Sequence, residues 1–107
     1  MDDWFFNRFG MRFRESSLFG TGDLVTAQGY AKDWGQVRRL EPKDKFCFCW
    51  SPDCADLYNE FVNSRSTESV EDMLERLDFQ CNDLGAAIRS HNEVMLVCRD
   101  IEATVVP

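Results

Sequence analysis

One stretch constrains the fold more than any other. "EVMLVCRDI", residues 93–101, is apolar at successive positions rather than at alternate ones. A strand with one wet face alternates; a strand apolar on both faces belongs in the middle of a sheet and is covered on both sides. The chain must therefore supply flanking strands and a covering layer. "ATVV", at 103–106, reads as an extension of this strand.

The first half supplies strand signals. In "FGMRFR", Phe9, Met11 and Phe13 alternate with Arg8, Arg12 and Arg14, the period of a half-buried strand. "GTGD" at 20–23 is a turn, followed by "LVTAQGYA", whose Val, Thr and Tyr favour extended structure. "KDWG" at 32–35 is a second turn, leading into "QVRRL", and "EPKD" at 41–44 a third. Short runs punctuated this way predict an antiparallel meander.

"KFCFCWSPDC", residues 45–54, then passes from strand to helix. Phe46, Phe48 and Trp50 face one way, Cys47 and Cys49 the other. Ser51 is the expected N-cap, with Pro52 at the first helical position and Asp53 near the positive dipole end. Cys54, Tyr58, Phe61 and Val62 form the expected buried stripe. A second helix is expected from Ser66 or Thr67, with Val70, Met73, Leu74, Leu77 and Cys81 on its apolar side. Gly85 ends it, or "DLGAAI" is a separate turn of helix. The expected fold is α+β: a mostly antiparallel sheet of four to five strands, two consecutive helices on one face, order ββββααβ. At 107 residues, with no repeat or linker, it reads as one domain spanning 1–107.

Three of the five cysteines crowd into residues 47–54, which raises metal and thiol chemistry. Zinc sites use close Cys pairs with two to four residues between them, or a matching His pair; here the spacing is C-x-C-x4-C, then Cys81 and Cys98 far away, with one histidine, His91. Cys47 and Cys49 would share a strand face roughly 7 Å apart. Buried cysteine also serves as a small hydrophobe, and that reading is preferred. A catalytic Cys54 would need His91 as its base, and "SHNE" at 90–93 reads as a surface loop. No phosphate-binding glycine loop, dinucleotide fingerprint, H-E-x-x-H or calcium loop is present. No catalytic residue, cofactor or metal is therefore assigned. The thiol- or metal-dependent enzyme built on Cys47, Cys49 and Cys54 is the rival reading.

Charge is uneven. Residues 1–50 hold eight Lys/Arg and seven Asp/Glu, a net of +1; residues 51–107 hold four and twelve, a net of −8. Phosphate binding needs the opposite sign, so direct nucleic-acid binding is disfavoured, and a basic protein surface is the natural complement. Asp53, Asp56, Glu60, Glu68, Glu71, Asp72 and Glu75 are the expected contact carboxylates. Trp4, Phe5, Phe6 and Phe9 crowd the N-terminus beyond what one strand face can bury. Two readings weigh equally: Trp4, Phe5 and Phe6 are an exposed apolar anchor for a partner, or the N-terminus lies over the core between sheet and helices. "MDDWFFNRFGMRF" opens acidic and carries Arg8 and Arg12 within its apolar stretch, so it does not read as a signal peptide, and no run of eighteen apolar residues offers a membrane span. Irregular, odd-numbered cysteines then suit reduced thiols in the cytoplasm. The expected function is a small non-catalytic binding module. Its type would be a stoichiometric inhibitor (toxin-immunity or phage counter-defence) of a nucleic-acid-handling protein.

Overall fold

The computed structural model describes residues 1–30, 37–43, 45–64 and 67–105. Strand β4 (Val94–Cys98) lies between β1 (Leu18–Gly20) and β3 (Phe46–Trp50) in an antiparallel sheet of order β1-β4-β3. Its register sets Leu96 against Leu18 on one side and Phe48 on the other. Both faces are covered. Met95 is 1% exposed in a large core with Phe5, Phe13, Cys49, Leu74 and Leu77, while Val94 packs with Trp50 and Ala87 behind the sheet. The central-strand expectation holds.

The remaining strands differ from the single sheet expected. β5 (Ile101–Val105) does not prolong β4; the chain bends at Arg99–Asp100 and β5 pairs antiparallel with β2 (Arg38–Pro42) in a separate two-stranded sheet. Lys43 N–H donates to the Asp100 carbonyl at 2.8 Å, tying the ends of this ribbon. The architecture is α+β, with five strands in two antiparallel sheets and six helices among the described residues. The turn expected at "KDWG" lies outside the described residues.

Two predicted strands are helices. Residues 8–14 fall in the end of α1 (Asp2–Phe9), its Gly10 cap, a non-helical link at Met11 and Arg12, and the start of α2 (Phe13–Ser16). The alternation misleads because Phe5, Phe9 and Phe13 also stand four apart, the helical interval. Gly10 at φ 78° ends α1 with its N–H on the Phe6 carbonyl, a backbone turn that glycine makes without penalty. Asp2 then receives α2: its two carboxylate oxygens accept from the Arg14 and Glu15 N–H groups at 2.8 and 2.9 Å. "LVTAQGY" forms α3 (Leu24–Tyr30). Asp23 caps it, accepting from Thr26 N–H at 3.0 Å and Thr26 hydroxyl at 2.6 Å. Strand propensity is context-dependent, and a cap of this kind contributes about 1 kcal/mol to the helix instead.

The helix after β3 begins later than Ser51. Residues 51–56 form turns, and α4 runs Leu57–Ser64. Its cap is Asp56, whose carboxylate accepts from Asn59 N–H at 3.2 Å and whose carbonyl accepts from Glu60 N–H at 3.1 Å. The later start rotates the buried stripe. Leu57 and Ser64 are buried and Phe61 half-buried, whereas Tyr58 is 66% and Val62 38% exposed. Ser51 is instead fully buried: its hydroxyl accepts from Asp53 N–H at 3.0 Å and donates to the Leu77 carbonyl. α5 is Val70–Arg76, capped by Ser69 rather than starting at Thr67, and buries Met73, Leu74 and Leu77 as expected; the alternative start at Ser66 lies outside the described residues. Cys81 is exposed. "DLGAAI" is a separate helix, α6 (Leu84–Ser90), with Asp83 accepting from Ala86 N–H at 3.1 Å. No helix among the described residues is long and apolar enough to cross a membrane.

Candidate functional site

Residues 51–83 contain nine Asp/Glu and two Arg, a net of −7; the rest of the chain holds ten of each sign. The entire net charge of the protein thus lies in the segment carrying α4, α5 and the approach to α6. Burial of Met73, Leu74 and Leu77 against the core turns Glu71, Asp72 and Glu75 outward.

The carboxylates divide by partner. Arg76 gathers Glu68 at 2.5 Å and Glu60 at 3.5 Å, clamping α4 to α5, and these pairs raise its pKa, the Glu68 hydrogen bond foremost. Glu75 accepts from the Trp4 indole N–H at 3.1 Å and lies 3.5 Å from Arg8. Asp56, besides capping α4, accepts from the Tyr30 hydroxyl at 2.9 Å. These four hold the fold together. Asp53, Glu71 and Asp72 are exposed, and no ion pair or side-chain hydrogen bond engages their carboxylates among the described residues. They are the part of the acidic set available to another molecule.

The aromatic cluster divides too. Phe5 is 0% exposed, with ring centroids 5.1 Å from Trp4 and 5.1 Å from Phe79. It is a core residue and offers no surface to a partner, because helix α1 directs it inward with Phe9. Trp4 is half-buried over the same cluster. Phe6 points outward at 48% exposure, with the Arg12 guanidinium 5.0 Å from its ring.

The thiols are dispersed in environment. Cys49 and Cys54 are buried, Cys47 and Cys81 exposed, Cys98 intermediate. Among the described residues no three His, Cys, Asp or Glu side chains are placed to hold a metal ion. Burial, with Glu93 and Glu60 nearby, pushes the Cys54 thiol up to about 12, the reverse of an activated nucleophile. His91 is exposed and faces Asp23 at 4.0 Å; no hydrogen bond joins it to Cys54.

Two features escaped the sequence. Glu93 ties three elements, accepting from Arg14 at 2.6 Å and from Leu57 N–H at 3.2 Å where β4 begins. A cleft of about 1010 Å³ opens among β1, β2, α3 and α6, lined by Leu18, Phe19, Leu40 and Ile88. Its polar groups are largely committed: Arg14 to Glu93, Asp56 to Tyr30, Thr26 to Asp23. Neither is marked by a motif, since each joins residues far apart in the chain. No family model, no curated protein and no solved structure matches this chain.

Proposed function

We propose that the protein is a non-catalytic, stoichiometric binding module of the cytoplasm that docks the acidic segment 51–83 onto a protein with a basic surface. Its type would be an inhibitor of a nucleic-acid-handling protein, of the immunity or counter-defence kind. The observation carrying this reading is the concentration of the whole −7 charge in one helical segment, with Asp53, Glu71 and Asp72 exposed and unpaired among the described residues. A surface that mimics the sign of a phosphate backbone suits a partner built to hold one. Charges placed this way steer association more than they hold the complex.

The test uses the full chain as bait in its native host, followed by binding kinetics with the captured protein. Asp53→Lys, Glu71→Lys and Asp72→Lys together should slow association about tenfold or more, because steering of this kind operates over 10–10³ in rate. They touch no internal ion pair, so the fold should remain intact. The wild-type on-rate should also fall with salt, since the Debye length shrinks to about 3 Å at 1 M. Phe6→Ala should instead speed dissociation if that ring anchors the edge of the contact. An on-rate indifferent to both charge reversal and salt would refute the reading.

A further inference from the structure

Cys49 and Cys81 are distant in sequence and adjacent in the fold. Trp50 and Gln80 exchange both backbone hydrogen bonds as an isolated antiparallel bridge, Trp50 N–H to the Gln80 carbonyl at 2.9 Å and Gln80 N–H to the Trp50 carbonyl at 2.8 Å. The residues next to such a pair face each other without hydrogen bonds, with Cα atoms about 4.5 Å apart and side chains on one face. Here those residues are Cys49 and Cys81. Disulfides span Cα separations of about 4.4–6.8 Å, so the backbone needs little adjustment to accept one. Phe79, two residues before Cys81, is buried in the same core cluster as Cys49, which is what a shared face requires.

The two thiols also differ in the way an exchange pair needs. Cys81 is exposed and Cys49 is 0% exposed. A hydrogen bond from the Cys49 thiol lowers the Cys81 pKa, while that same contact and burial raise Cys49. Attack therefore starts at the accessible sulfur and finishes at the enclosed one.

We propose that Cys49 and Cys81 are a reversible dithiol–disulfide pair, oxidised by low-molecular-weight disulfides of the glutathione class. The Cys81 thiolate attacks the small disulfide, forming a mixed disulfide and releasing one small thiolate. That released thiolate takes the Cys49 proton, and the Cys49 sulfur attacks the Cys81 sulfur, releasing the second small thiolate, which solvent protonates. Two protein thiols are oxidised and one small disulfide is reduced to two thiols. The bond fastens β3 to the segment after α5 and closes a loop containing α4 and α5, so it fixes the base of the acidic face. Cys47 is the competitor, since it lies two residues along the same strand face and borders a small cleft together with Cys81.

Treating the full chain with glutathione disulfide, alkylating the remaining thiols and mapping peptides by mass spectrometry tests this. The oxidised chain should lose two hydrogens and two of its five alkylatable thiols, and yield one linked peptide joining Cys49 to Cys81. Dithiothreitol should reverse it, and its thermal midpoint should exceed that of the reduced form. Cys47→Ser should leave the link in place; Cys81→Ser, at an exposed position, should abolish it. Alkylation of all five thiols after oxidation, a Cys47–Cys81 link, or only intermolecular dimers would overturn the proposal.

Discussion

Replacing Phe5 by alanine gives the sharpest test of how the N-terminus is built. Phe5 is 0% exposed and makes edge-on contacts with Trp4, Phe13 and Phe79 and a stacked contact with Phe9. Truncating a buried phenylalanine costs about 3–5 kcal/mol. Four aromatic neighbours favour the upper half of that range, since each such pair adds about 0.5–1.5 kcal/mol beyond buried area. Domains of this size have total stabilities of about 5–15 kcal/mol, so the variant should lose a large share of its stability. At roughly 4–8 °C per kcal/mol, a loss of about 4–5 kcal/mol should lower the thermal midpoint by about 16–40 °C. Phe6→Ala is the control. Phe6 is 48% exposed and loses mainly its contact with Arg12, worth about 0.5–1 kcal/mol. Urea unfolding followed by tryptophan fluorescence reads both, because Trp4 packs directly on Phe5. Equal midpoints for the two variants would refute an inward Phe5 and restore it as a surface anchor.

Ser51→Ala should destabilise by about 1–3 kcal/mol, because it leaves the Leu77 carbonyl and the Asp53 N–H without their buried partner; denaturant titration checks it, and an unchanged midpoint would remove Ser51 from the core. Gly10→Ala should cost about 1–2 kcal/mol through the backbone alone, since φ is 78° and nothing lies within 4 Å of the added Cβ. A stabilised variant in thermal melts would contradict the left-handed cap. Cys54 supplies a pH test. Its thiol rises from 9.0 to about 12 in the fold, so the stability it contributes is complete below about pH 9 and is lost as pH climbs through 12. Urea midpoints of the wild type should fall more steeply between pH 8 and 11 than those of Cys54→Ala; parallel profiles would mean that the thiol is solvated.

The acidic surface was legible as a charge count and illegible as a site. Summing residues locates the −7, because charge belongs to composition. Which carboxylates remain available depends on where Arg76, Arg8, Trp4 and Tyr30 come to rest, and all but the Arg76–Glu68 and Arg76–Glu60 contacts cross long stretches of chain. The Cys49–Cys81 approach is hidden for the same reason: it is created by one backbone bridge between β3 and the segment after α5.

For the fold, the sequence by itself determined the elements whose pattern admits one reading. "EVMLVCRDI" reads as a covered central strand, which holds for Val94–Cys98 while Ile101 joins β5, and Val70, Met73, Leu74 and Leu77 read as a helix face, because both periods are set by backbone geometry. Where one pattern satisfied two periods, tertiary structure decided. Phe9, Met11 and Phe13 alternate as a strand would, yet Phe5, Phe9 and Phe13 also align on helices. Only the pocket formed with Phe79 and Trp4, and the carboxylate of Asp2 at the start of α2, select the helical solution. Likewise Ser51 had the local features of an N-cap, but the Leu77 carbonyl, brought near by α5, drew it into the core and left Asp56 to begin α4. Local preferences amount to about 1 kcal/mol each, and a buried aromatic cluster outweighs several of them.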